Sequence, residues 1–370
     1  MKIAIRTGAL AAATVLTLAL AACSSSSETS GTPSSSASHT ATQPPLTGAL
    51  NGSGSSAQGA AMDAWRAAFQ DANPGVTVNY DPVGSGGGRT AFLDGTVAFA
   101  GSDALLSADE VTKSVTTCGP EGAIHIPVYI SPIDVVFNLD GVTSLKMTAD
   151  TIAKIFDGKI TMWNDPAIAA DNAGATLPAS AITVVHRSDN SGTTSNFTDY
   201  LEKASTSWPY KHGGDWPNTI GEGGAKTSGV VAIVQGAKGT IGYVDASQAG
   251  TFGLVSIKVG SAFVAPSTQG AAIAVENSPI ADGANGQFDL AYKLDRTTTA
   301  AGAYPLALVS YHILCAHYTD VNTGNLVVGF EKYVVSSAGQ DLAASAAGSA
   351  PIGDKVGALA LASVNSIKVG

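Results

Sequence analysis

The chain is poor in charge, in cysteine and, beyond its first 22 residues, in long apolar runs. Only 13% of its 370 residues are Asp, Glu, Lys or Arg, against about a quarter in ordinary soluble domains. Cations are the scarcer sign, 19 Lys and Arg against 29 acids, for a net charge of −10. A nucleic-acid surface needs a basic face, and so does attraction to an anionic bilayer by charge, so the balance argues against both. No apolar run of roughly 18 residues follows Ala22, so no transmembrane helix is expected after it. Catalytic signatures are missing too. There is no H-E-x-x-H, no G-x-x-x-x-G-K-[ST], and no Ser with Gly two residues to either side, which removes the sequence marks of a zinc protease, a P-loop and a nucleophile elbow. Of six His, His39, His125, His186 and His212 show no metal-ligand spacing; His312 and His317 flank Cys315 in an apolar stretch and read as structural. No metal and no cofactor is expected.

What the chain does have begins at its N-terminus. Lys2 and Arg6 precede an acid-free apolar run to Ala22, the pattern of a cleaved export signal over residues 1–22. Between Ser24 and Pro45, 13 of 22 residues are Ser or Thr; such a stretch buries too little apolar surface to offset its ordering entropy and reads as a flexible tether. Cys118 and Cys315 are an even pair in an oxidising compartment. A disulfide between them is expected, with two buried free thiols as the alternative.

Beyond the tether, short strands alternate with helices, the mark of an α/β class with mostly parallel sheets. Helical spacing predicts helices over 60–73, 89–94, 149–156, from 193 through 200, over 327–333 and near 340–347. Strands are expected at 76–80, 97–100, 182–186 and 239–244. Two β-rich stretches, Ile124 to Asn138 and Tyr304 to Ile313, suit crossings between two lobes, which makes the first lobe discontinuous: 46–126 plus 305–370, with 127–304 as the second.

Gly makes up 42 residues, and three Gly/Ser/Thr segments precede predicted helices: Gly52-Ser53-Gly54-Ser55-Ser56, Gly84-Ser85-Gly86-Gly87-Gly88 and Ser191-Gly192-Thr193-Thr194. A helix start leaves N–H groups unpaired at the positive end of the macrodipole. Gly lets main chain approach a ligand and Ser or Thr adds a hydroxyl, so three such loops together point to an anion. Just before the third, Arg187 offers a planar fork of donors, and Asp189 stands where it can orient that fork.

These loops, with Phe99-Ala100-Gly101-Ser102-Asp103, Ile155-Phe156-Asp157-Gly158-Lys159-Ile160, Trp163 and Arg187-Ser188-Asp189-Asn190, resemble the phosphate-binding proteins of Pst-type ABC transporters, most strongly the actinobacterial lipoproteins. The resemblance runs in order from about Leu46 to the C-terminus. It implies a type II periplasmic-binding-protein fold, two α/β lobes closing on phosphate in a cleft. Leu20-Ala21-Ala22-Cys23 resembles a lipobox, which implies lipidation of Cys23 and anchoring to the outer face of the cytoplasmic membrane. Carried over, the family pattern puts the Ser56 hydroxyl and amide, the Ala57 amide, Ser85 and Asp103 on phosphate from the first lobe, and Arg187, Ser191 and the Gly192 and Thr193 amides from the second. Ala57 stands where other members often carry Phe. The implied partners are inorganic phosphate and the permease and ATPase subunits, met by a monomer without enzymatic activity. Alternatives are another oxyanion, sulfate-like or a phosphonate, and an exported phosphate-ester hydrolase. Independently of the family, a carboxylate such as Asp103 beside an anion repels it unless the anion bears a proton to donate, which phosphate does and sulfate does not.

Overall fold

A 16-residue strand with its first fifteen residues buried, β4 (Ala123–Asn138), joins two halves of one continuous sheet. The computed structural model describes residues 45–282 and 286–370; Cys23 and nearly all of the tether lie outside them. Before β4 come β1 (Gly48–Gly54), α1 (Gly59–Ala72), β2 (Val76–Asp81), α2 (Ser85–Leu93), β3 (Phe99–Ser102) and α3 (Ala108–Cys118). After it come β5 (Ser144–Met147), α4 (Ala149–Phe156), α5 (Pro166–Asp171), β6 (Thr183–Arg187), α6 (Gly192–Ala204), β7 (Glu222–Gly224), α7 (Lys226–Gly236) and β8 (Thr240–Asp245). A 3-10 turn, Ala246–Gln248, leads to β9 (Gly253–Val259), β10 (Ala262–Val264), α8 (Thr268–Glu276), β11 (Ile280–Asp282), β12 (Leu290–Tyr292) and β13 (Ala307–Cys315). The last elements are β14 (His317–Tyr318), α9 (Val321–Val334), α10 (Ser337–Ala347), α11 (Gly353–Ser366) and β15 (Lys368–Val369).

The main sheet runs β2-β1-β3-β13-β4-β8-β6-β7, with β9 attached to β4 and carrying β5 and β10. Up to Pro132, β4 pairs with β13; from Ile133 onward it pairs with β8. The same strand thus serves one lobe and then the other, as its Pro-punctuated apolar sequence predicts. The sheet is mixed rather than mostly parallel. β1, β2 and β3 pair in parallel, as do β6, β7 and β8, but β4 runs antiparallel to both β13 and β8 because each crossing strand returns against its neighbour.

Aromatic clusters lie in both lobes, within one continuous hydrophobic core. In the first, Trp65, Phe99 and Phe330 surround the His312 ring, whose Nδ1 meets both Glu331 oxygens at 2.9 Å in full burial. His312 is therefore structural, as its sequence setting suggests. In the second, Phe197 stacks on Tyr243 at 4.3 Å between ring centres, with Phe156 and Trp216 alongside. Cys118 and Cys315 are bonded, 197 positions apart, and pin the end of α3 to the end of β13. On the chain-entropy account a loop that long contributes up to about 5 kcal/mol.

Candidate functional site

The N-termini of α2 and α6 meet between the halves of the sheet, and glycine is what lets them meet. α2 begins at Ser85, not at Arg89 as its sequence suggests, so Gly86, Gly87 and Gly88 form its first turn. A Cβ at Gly88 would lie 2.3 Å from the Gly54 Cα, and one at Gly86 would lie 2.4 Å from the Asn190 side chain. Gly84, at φ 97°, sits in a region open mainly to glycine, and a Cβ there would meet the Asp189 carboxylate at 2.4 Å. At the start of α6, a Cβ on Gly192 would lie 2.5 Å from Ser85 Oγ and 2.7 Å from Asp103 Cβ.

Asp103, just past β3, is the polar centre of this junction and only 4% exposed. Its carboxylate accepts from Ser310 Oγ at 2.7 Å, Thr193 Oγ1 at 3.3 Å and Ser85 Oγ at 3.4 Å. Its own N–H donates to Ser85 Oγ at 3.1 Å, and its carbonyl accepts from Asn196 at 2.6 Å. Burial raises the Asp103 pKa above the usual carboxylate range, opposed by the Ser55, Ser310 and Thr193 hydroxyls and by the Arg187 charge. A carboxylate poised this way favours a neighbour that donates a proton to it.

Arg187 ends β6 and is 3% exposed. Its main-chain N–H donates to the Tyr243 hydroxyl at 3.2 Å, and its guanidinium is held by Asp189, with Nε–H to Oδ1 at 2.8 Å. Asp189 Oδ1 also accepts the Lys226 N–H at 2.9 Å, at the first residue of α7. Burial works against the Asp189 charge, but Arg187 and that N–H outweigh it and lower its pKa. Ser191 is the N-cap of α6, its Oγ accepting from the Thr194 N–H at 3.2 Å.

Ser85, Asp103, Gly192 and Thr193 are therefore in mutual contact, with Arg187 close enough to act on Asp103 through its charge. The Ala57 N–H points to Ser55 Oγ at 3.1 Å, in the same polar cluster. Ser56 is engaged elsewhere: its hydroxyl lies 3.0 Å from Thr227 Oγ1 and accepts the Thr227 N–H at 3.2 Å, capping α7 from the other lobe.

Sequence reasoning missed Ser310, Thr227 and Asn196. Ser310 did carry a signal, as a lone small hydroxyl in the apolar run of β13. Asn196 is oriented by the buried Arg296, whose Nη1 also donates to the Pro305 and Ala307 carbonyls. His186 is a packing residue, stacked on Trp216 at 4.7 Å. Among the described residues, no group of three His, Cys, Asp or Glu is placed to hold a metal. The arrangement gathers hydroxyls and the buried carboxylate acceptor of Asp103, with the Arg187 charge acting on it, a chemistry suited to an oxyanion that carries hydrogen.

Residues 35–338 match the family model of the PBP superfamily domain. PstS 3 of Mycobacterium tuberculosis, a phosphate-binding protein, is 36% identical over 86% of this chain and 86% of its own. This protein belongs to the PstS family. The Xylella fastidiosa member is 34% identical over 77% of this chain and 76% of its own. The fold is similar to that in the solved structure of a high affinity periplasmic phosphate-binding protein (PfluDING), with a TM-score of 0.72 at 20% identity over 87% of this chain and 96% of that one. The two-lobe fold expected from the PstS resemblance is thus the fold observed.

Proposed function

We propose that the protein captures inorganic phosphate outside the cytoplasm and delivers it to an ABC permease. The observation that carries this reading is Asp103, a buried carboxylate ringed by hydroxyls of Ser85, Ser310 and Thr193 and facing Arg187. Phosphate near neutral pH bears at least one proton and can donate it to Asp103. Sulfate bears none and would set its charge against that of the carboxylate, which costs several kcal/mol where like charges are desolvated.

The eight residues expected from the sequence form the proposed binding set: Ser56 (through its N–H, because its hydroxyl is held by Thr227), Ala57, Ser85 and Asp103 from one lobe, Arg187, Ser191, Gly192 and Thr193 from the other. Asp189 holds Arg187. Ligand bridging both sets favours the closed arrangement, which then docks on the permease. The lobes are 46–126 plus 305–370 and 127–304. The protein acts as a monomer, exported by its first 22 residues and anchored by acyl chains on Cys23, with the Ser/Thr-rich tether setting its reach.

Binding without catalysis is supported by the placement of the imidazoles. His125 pairs with Asp289, His212 with Glu202, His312 with Glu331, and His186 and His317 with main-chain carbonyls. None of these bonds activates a cleft hydroxyl for attack on a phosphate ester.

Thermal unfolding tests the reading. Phosphate at 100 times its Kd adds about 2.7 kcal/mol and raises the melting temperature, while equimolar sulfate leaves it unchanged. An equal rise with both anions, or with neither, would overturn it.

A further inference from the structure

Ser56 C=O and Ala57 N–H belong to one planar trans peptide, so they point in opposite directions and turn together. The carbonyl accepts a hydrogen bond from Gln248 Nε2 at 3.0 Å, across the cleft. The N–H is aimed at Ser55 Oγ at 3.1 Å, a hydroxyl that itself reaches the Asp103 carboxylate. The peptide lies in the loop between β1 and α1, outside either element, so no sheet or helix ladder fixes its orientation.

Gln248, by contrast, is well anchored. It ends the 3-10 turn whose N-cap is Asp245, and Asp245 Oδ1 accepts from the Ser247 N–H at 3.0 Å and from Ser247 Oγ at 2.6 Å. The same Oδ1 accepts from the Tyr129 hydroxyl at 2.9 Å, and Tyr129 sits on the crossing strand β4.

We propose that Gln248 is a positioning residue for phosphate. Without touching the anion, it holds the Ser56–Ala57 peptide so that the Ala57 N–H faces the cleft, and it polarises that N–H by binding its carbonyl. The first lobe then presents its full donor set only while the second lobe is in contact with it. Closure and capture are coupled through a peptide as well as through the ligand. This proposal rests on the phosphate reading above and deepens it.

The test uses the mature protein, Gln248→Ala and Gln248→Glu, each titrated with inorganic phosphate and followed by the amide resonance of Ala57. Glu keeps the size of Gln but has no N–H to donate, so it separates the hydrogen bond from packing. The expected result is a roughly tenfold rise in Kd for both variants, the scale of one lost hydrogen bond, carried mainly by faster release. On saturation the wild-type Ala57 amide proton moves downfield, and in both variants it moves less. Wild-type affinity and a wild-type Ala57 shift in Gln248→Glu would overturn the proposal and leave the phosphate reading standing. Phosphate binding by the wild type with no movement of the Ala57 resonance would also overturn it. No phosphate binding by the wild type would overturn the phosphate reading itself.

Discussion

The Asp189 carboxylate grips the Arg187 guanidinium from two residues away in sequence, and the same carboxylate takes the first N–H of α7. One acid thus fixes both the cation of the proposed site and the start of α7. Arg187→Ala is expected to weaken phosphate binding well over tenfold, the scale of losing a buried charge-assisted contact. Asp189→Asn keeps the cation but loosens its fork, so its loss is smaller. Equilibrium dialysis with labelled phosphate measures both, and near-normal affinity in Arg187→Ala would move the site elsewhere.

Asp103→Asn puts an amide donor where only an acceptor stood. Phosphate binding falls, and sulfate, no longer facing a carboxylate, becomes a competitor. Competition titrations on the variant read this directly. Unchanged selectivity would remove Asp103 from the account.

Gly192→Ala places a methyl 2.5 Å from Ser85 Oγ and 2.7 Å from Asp103 Cβ. These atoms belong to the facing lobe, so the variant folds, with a melting temperature near wild type when no anion is added. Phosphate affinity drops by roughly ten- to a hundredfold, the cost of overpacking a close contact. Full affinity would show that the lobes need not approach this closely.

The crossing strands were legible because β4 and β13 are long and mostly apolar, with only a few polar residues and the prolines of β4 among them. Asp103 and Arg187 could be singled out in the sequence because their motifs are local. α2 was misplaced because glycine is a poor helix former, and here Gly86 and Gly88 answer to contacts with Asn190 and Gly54 that lie far off in sequence. α7 escaped notice for a related reason. Its Val230, Val231 and Val234 read as β-rich, and its N-terminus is capped by Asp189 and Ser56, 37 and 171 positions from their partners. Ser310 reaches Asp103 across 207 positions, which no local pattern encodes. The antiparallel run of the crossings follows from where each strand returns, again a tertiary fact.

Stability should fall with rising pH through one buried group. Burial first, and the nearby Asp245 second, push Asp134 on β4 up to about 8, and its Oδ1 has no hydrogen-bond partner among the described residues. The folded chain keeps this proton to about pH 8, while the unfolded chain releases it around pH 4. The folded state thus binds the extra proton, and stability from this group is present at low pH and lost between those limits. Asp134→Asn removes the loss, so its advantage over wild type grows by a few kcal/mol, about, from pH 5 to pH 8. Urea unfolding at the two pH values measures it; an equal gap at both would contradict the assignment.

Isothermal titration of the wild-type protein with inorganic phosphate, run with and without a large excess of sulfate, reads the central claim most directly. One saturable site per chain, with the same phosphate affinity in both runs, is the result predicted by a cradle that admits only an anion bearing hydrogen. Absence of binding heat, or displacement of phosphate by sulfate, would contradict it.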